Sequence, residues 1–407
     1  MRFYPLVLIS LISIHSSYAT NTQSLDNQLQ HIINHYLTNE GKKEGVTGIA
    51  ATISYPNHQG IMNKTFVTGV IGYPPYNKEP VTKNNLFEIG SITKSFTSVM
   101  ILQLQAEGLL KIDDKIGKWL PQYPNWKDVT IKQLLNMTSG IPSYSRNKEF
   151  QNLIYKNIRA ELTDEQLLKY ANPDKPVTPG KTFDYSNTNY ILAGLIIEAI
   201  THHSFADELQ SRILDPFKLK NTYYVAGLNW KRTREKVMPR MVHGYYYDDE
   251  SKKMIDVTDS NLSWGGPAGA LISDTQEVAT WVQVLYHGLA IPELHREKAL
   301  KELESVVSET GQPIDTVSKE NPRGFGLGVG YLYDKDLGRF WVYEGSGMGY
   351  RTMYLWKACN NVSVVAALNN KAGEANSKLH GGDHIQKLLL TIYKKVIDTY
   401  PTFRCHD

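Results

Sequence analysis

Strand-forming patterns sit at the two ends of this 407-residue chain, with a long helical stretch between them. Residues 48–55 and 65–71 are rich in β-branched side chains and read as a strand pair. Far downstream, residues 326–333, 339–343, 350–357 and 362–368 give further short strand patterns at close spacing, as in an antiparallel meander. The terminal segments must pair to complete one sheet, so an α/β (α+β) fold is expected. In it, an antiparallel sheet is flanked by terminal helices over about 26–37 and 383–393 and interrupted by an inserted helical domain. The expected boundaries are 20–90 and 322–407 for the α/β domain and 91–321 for the helical one, with the active site between the two.

Within the middle, residues 131–137, 164–171, 188–199 and 274–285 carry helical periodicity and alternate with loops rich in Pro, Gly, Asn and Tyr. From Ser91 onward, Ile92, Phe96, Val99, Met100 and Leu104 recur at helical spacing, and Gly108 ends the pattern as a C-cap. Ser91 is thereby placed at a helix N-terminus.

Arg2, the apolar run Leu6 to Ile14 and the small residues of Ser17-Tyr18-Ala19 read as a signal peptide over 1–19, cleaved after Ala19, which implies a periplasmic or secreted protein. That run is well short of the roughly 20 residues a membrane-spanning helix needs, and no span is expected elsewhere. Formal charge is only +3, without a basic block, so no nucleic-acid surface is implied and the expected partner is a small molecule or peptide. Two cysteines, Cys359 and Cys405, are a candidate disulfide in an exported chain. A monomer is the default, and no cofactor or metal is implied.

The chemistry is concentrated in three short segments. Gly90-Ser91-Ile92-Thr93-Lys94 puts a hydroxyl and an amine three residues apart on one helix face. Serine is a poor nucleophile until a base takes its proton, and a lysine serves when desolvation lowers its pKa. Spacing alone is weak evidence, because Ser145-Arg146-Asn147-Lys148 repeats it without an apolar helix behind. Tyr185-Ser186-Asn187 is the second segment; of the several Tyr-x-Asn triplets, including those at Tyr55, Tyr123, Tyr155 and Tyr170, it alone precedes a strong helix. Tyr343-Glu344-Gly345-Ser346-Gly347 is the third, where glycines let a substrate approach backbone N–H groups.

Together with Leu134-Leu135-Asn136-Met137-Thr138-Ser139-Gly140-Ile141-Pro142 and the Gly-rich stretch 265–271, in this order, the chain resembles the serine β-lactamase and DD-peptidase superfamily. Its likeness is to the branch of class C β-lactamases, streptomycete-type D-alanyl-D-alanine carboxypeptidases and related esterases, over essentially the whole mature chain. The resemblance implies a β-lactamase/transpeptidase-like fold and an acyl-enzyme mechanism. Ser91 then attacks a carbonyl, Lys94 accepts its proton, Tyr185 passes a proton to the leaving group and Asn187 orients Lys94 and substrate. Tyr343, Gly345 and Ser346 line the substrate site, with the N–H groups of Ser91 and Ser346 as oxyanion hole. One departure stands out: Tyr343 occupies a position where the family commonly carries Lys or His, so the cationic anchor for a substrate carboxylate is missing. Arg351 is either a second source of positive charge or a surface arginine at a strand edge.

The implied activity is D-alanyl-D-alanine carboxypeptidase-like hydrolysis of peptidoglycan-type peptides. An esterase or a class C-like β-lactamase uses the same residues, and a noncatalytic cell-wall-peptide binder is the alternative of a different kind. Residues 324–330, with alternating glycines, read as close backbone packing rather than a nucleotide loop. His380 and His384 are four apart but separated by Gly381-Gly382 and lack a third ligand.

Overall fold

The computed structural model describes residues 11–227, 230–248, 251–371 and 384–405. Its main sheet has nine strands, in the spatial order Gly60–Gly69, Gly48–Asn57, Val362–Leu368, Arg351–Lys357, Gly338–Ser346, Gly330–Asp334, Arg323–Phe325, Val306–Ser308 and Pro313–Ile314. All neighbours in it are antiparallel. The early strand joins the late ones as expected, in a register running from Ile49 opposite Leu368 to Ser54 opposite Ser363.

Because successive side chains alternate, each central strand serves two cores. Ile49, Ala51 and Ile53 share one face with Met353, Leu355, Val364, Ala366 and Leu368, and this face packs on Leu25, Leu29 and Ile33 of the first helix and Ile385, Leu389 and Ile392 of the last. Burying each such Leu or Ile contributes roughly 1.5–3 kcal/mol. Tyr343, Tyr354, Trp356 and Val365 point the other way, into the core shared with the helices of the middle segment. The sheet is therefore buried on both sides, and the strand Gly338–Ser346 lies at its centre.

Helices fall close to their expected positions. Thr93–Ala106 ends before Gly108, which takes φ +77. Ile131–Leu135 and Asp164–Lys169 open on capping boxes, Thr130 with Gln133 and Thr163 with Gln166. Asn187–Thr201 and Thr275–Tyr286 complete the set. Two boundaries differ. Val306–Ser308 and Pro313–Ile314, inside the segment expected to be helical, extend the sheet, a run too short to show a period of two in the sequence. The pattern expected over 326–333 is split into Arg323–Phe325 and Gly330–Asp334 by a tight turn in which Gly326 N–H bonds Val329 O at 2.8 Å and Gly328 takes φ +76.

The first helix runs from Leu11 to Tyr36 and passes without a break through the expected cleavage position; residues 1–10 lie outside the described residues. No described helix is long and apolar enough to cross a membrane. The last helix is His384–Thr399, and Cys359 and Cys405 are joined, with Cα atoms 6.1 Å apart, tying the tail beyond it to the turn after Arg351–Lys357. His380 lies outside the described residues, whereas His384 faces Glu40 at 3.6 Å.

Candidate active site

Ser91 sits in the single turn Gly90–Ile92 that leads into the helix Thr93–Ala106. Gly90 takes φ +47, a left-handed conformation in which a side chain is strained, and a Cβ there would stand 2.7 Å from Ser346 N. Gly345 is tighter still: a Cβ on it would lie 1.8 Å from Ile89 O and 2.9 Å from Ser91 N. The residues before the nucleophile and the third motif therefore meet backbone to backbone along one seam, and side chains are excluded from it. The backbone nitrogens of Ser91 and Ser346 both border this seam, 2.9 Å and 2.7 Å from where a Cβ on Gly345 and on Gly90 would stand.

Lys94 Nζ is 3.0 Å from Ser91 Oγ and donates to Ala268 O at 2.7 Å. The side chain is fully buried. Burial, the largest influence, drives its pKa down from the ordinary 10.5, while the Tyr185 phenol opposes the shift. A neutral amine accepts the Ser91 proton, whereas an ammonium has no lone pair to do so. Ala268 lies in the Gly266–Gly269 turn of the Gly-rich stretch, so that part of the sequence contributes a carbonyl that aims the Lys94 amine.

Tyr185 donates its phenol proton to Ser91 Oγ at 2.9 Å. It precedes the helix Asn187–Thr201, and the segment around it is held by the turn at Met137, where φ is +65. Asp184 N–H bonds Met137 O at 2.9 Å, and Ser186 N–H points at Met137 Sδ at 3.3 Å. Asn189 and Tyr190, one turn into the helix, donate to Leu134 O at 2.9 Å and Leu135 O at 2.7 Å. The Leu134–Pro142 segment thus works as a bracket for Tyr185 rather than as part of the reacting group.

Two sequence expectations, for Asn187 and Arg351, need correction. Asn187 does not reach Lys94; its amide donates to Ser145 Oγ at 2.9 Å, and Ala268 O orients the lysine instead. Ser145, the serine of the repeated Ser-x-x-Lys spacing, is accordingly a support for the second motif. Tyr343 is largely buried, its phenol is 3.1 Å from the Tyr185 phenol, and it lies on the lining of the cavity described below. Arg351 is neither a surface residue nor a substrate anchor: it is 7% exposed, and its Nε donates to Glu344 Oε1 at 2.7 Å. Strand alternation puts Glu344 and Arg351 on the sheet face opposite Tyr343, towards the terminal helices.

Phe325 has no counterpart in the sequence reading. Its ring lies 5.6 Å from that of Phe183, 6.1 Å from that of Tyr185 and 5.6 Å from that of Tyr343, so it is the hub of the aromatic cluster behind Tyr185. A cavity of about 290 Å³ opens beside these rings, with Tyr331, Ser308, Glu309 and Arg323 also on its lining. Sequence periodicity had no means of finding Phe325, because it ends a strand of only three residues. The glycine run behaves as expected: a Cβ on Gly328 would meet Ser98 Oγ at 2.6 Å and Lys94 O at 2.9 Å.

Penicillin-binding protein 4* of Bacillus subtilis (strain 168) is 28% identical over 328 residues, which cover 76% of this chain and 66% of that protein. Other curated relatives are spanned to about half their length, at 54%. Among solved structures, a D-stereospecific amidohydrolase from Streptomyces sp. is 27% identical with a TM-score of 0.67, over 84% of this chain and 97% of that one. The D-amino acid amidase from Ochrobactrum anthropi SV3, in complex with D-phenylalanine, superposes with a TM-score of 0.75 at 21% identity, over 92% and 99% of the two chains. Residues 38–385 match the family described as Beta-lactamase, and with the fold and the Ser91, Lys94 and Tyr185 cluster in place, the chain belongs to that family.

Proposed function

We propose that the protein is an exported serine amidohydrolase that forms an acyl-enzyme at Ser91 and cleaves the amide beside a D-amino acid, with D-amino-acid amides and esters as its preferred substrates and D-alanyl peptides of the peptidoglycan type as slower ones. The observation that carries this reading is the position of Ser91 Oγ, 3.0 Å from Lys94 Nζ and 2.9 Å from Tyr185 OH. Neutral Lys94 takes the hydroxyl proton as Oγ attacks, and the N–H groups of Ser91 and Ser346 receive the oxyanion. Tyr185 passes a proton to the leaving nitrogen, and water then releases the acyl group. The activities named for the Streptomyces and Ochrobactrum proteins support the D-amide part. Export rests on residues 1–19 and the Cys359–Cys405 pair. N-terminal sequencing of protein recovered outside the cytoplasm should begin at Thr20, and retention of Met1 would remove the export claim.

Leaving-group preference follows from the third motif. With a neutral phenol at Tyr343 and Arg351 turned away, no cation of that motif meets a substrate carboxylate. D-Amino-acid amides and esters should therefore turn over faster than a peptide ending in free D-Ala-D-Ala. A panel of D-phenylalanine amide, its L enantiomer, a D-Ala-D-Ala peptide, a short-chain aryl ester and a chromogenic cephalosporin tests this against Ser91→Ala. Turnover confined to the cephalosporin, or equal rates on the two enantiomers, would overturn the D-amide reading. In the same panel Tyr343→Lys should shift relative kcat/KM towards the free carboxylate by about ten-fold, the effect of one charge-assisted hydrogen bond.

A further inference from the structure

One buried acid beside the site takes no part in the mechanism above. Glu88 lies three residues before Ser91, on the two-residue strand that pairs with Leu271–Ser273. It is 2% exposed, and its Oε2 has no hydrogen-bond partner in the structure. Its other oxygen has only Ser260 Oγ, at the long distance of 3.4 Å. An orphaned carboxyl oxygen in a protein core is costly, which calls for a reason.

The reason lies in what that oxygen touches. A Cβ on Gly347 would be 2.0 Å from Glu88 Oε2, so the carboxyl rests directly on the Gly347 backbone. Gly347 follows Ser346, whose N–H is half of the oxyanion site. Ile89 and Gly90 make the matching close approaches to Gly345 and Ser346, and Thr352 Oγ1 bonds Glu88 O at 3.0 Å from the neighbouring strand. Glu88 is thus the end stop of the seam that sets the two N–H groups against each other.

We propose that Glu88 is a positioning residue for the oxyanion site: as an uncharged carboxylic acid it braces Gly347, and so the Ser346 N–H, against the Ser91 turn. The inference rests on the acyl-enzyme reading above. The groups around Glu88 fit an uncharged acid. Ser260 offers a hydroxyl to the carboxyl, the Thr352 hydroxyl is taken by the Glu88 backbone carbonyl, and the Tyr350 phenol donates to Val242 O at 2.8 Å. The cation that Glu88 senses, Arg234, is already paired with Asp259 at 2.5 Å. Burial, the dominant cause, raises its pKa to about 8, so the carboxyl stays protonated at neutral pH and ionises above that. A carboxylate at this position places negative charge beside the forming oxyanion and opposes it.

The test is the pH profile of kcat from pH 6 to 10 for wild type, Glu88→Gln and Glu88→Ala, with the folded fraction at each pH followed by near-ultraviolet circular dichroism. Wild type should lose about five-fold or more in kcat per folded enzyme with a midpoint near pH 8, and Glu88→Gln, which cannot ionise, should lack that limb. Glu88→Ala should lower kcat by about ten-fold at pH 7 with KM within about two-fold, the mark of a lost transition-state contact. A limb common to wild type and the Gln variant, or none in wild type, overturns the proposal, as does an Ala variant whose loss lies in KM. Labelling of Ser91 by a fluorophosphonate, read by intact mass, separates the two readings. A labelled enzyme with a shared limb refutes only the role of Glu88, whereas an unlabelled wild type refutes the acyl-enzyme itself.

Discussion

Ser91→Ala is expected to lower kcat/KM on the order of 10⁴-fold or more and to leave the protein folded, as judged by an unchanged Tm within a few degrees. The Ser91 oxygen is bonded to both Lys94 and Tyr185, so in the proposed acyl-enzyme route its removal takes away the nucleophile while leaving the other two groups in place. The side chain contributes little packing, which is why activity and stability should separate. Intact mass spectrometry with an activated ester or a β-lactam should show an adduct on wild type and none on the variant. An adduct that survives the substitution, or a loss of less than about ten-fold, would move the chemistry away from this helix.

Lys94→Met should be nearly as damaging to activity, and combining it with Ser91→Ala should add almost nothing, because two groups that act as one unit are lost once. It also carries a stability signature. An unfolded chain holds the lysine proton up to near its ordinary value of 10.5, whereas burial in the fold lowers that value. The stability associated with the neutral amine is therefore complete only above the unfolded value, and it is lost as the pH falls through the folded one. Methionine has no proton to lose, so the Tm of Lys94→Met relative to wild type should rise as the pH is lowered below about 10 and level off once the folded value is passed. Its loss of the bond to Ala268 O shifts the whole series by a constant and does not alter the slope. A Tm difference that does not change with pH would mean that the amine is charged in the fold, and that it is not the base.

Much of this protein was legible before its structure. Residues 48–55, 350–357 and 362–368 announced a sheet closed by distant segments, because strand patterns at the two ends of the chain have to pair with each other to complete it. Ser91 and Lys94 announced a helix face, because three residues is close to one helical turn. Asn187 and Arg351 were misplaced for a shared reason: their partners, Ser145 and Glu344, belong to other segments, and no local period says which side chain a long-range contact will present.

What the sequence determined by itself is the local physics: the periods that make elements, the caps that end them and the order of the three motifs. What only the tertiary structure decided is which groups share a seam. The carbonyl of Ala268 on Lys94, the phenol of Tyr343 on Tyr185, Phe325 behind both tyrosines and Glu88 against Gly347 all join residues far apart in the chain. Such contacts come from close packing of whole elements, in which the absence of a Cβ at Gly345 or Gly347 matters as much as any side chain present.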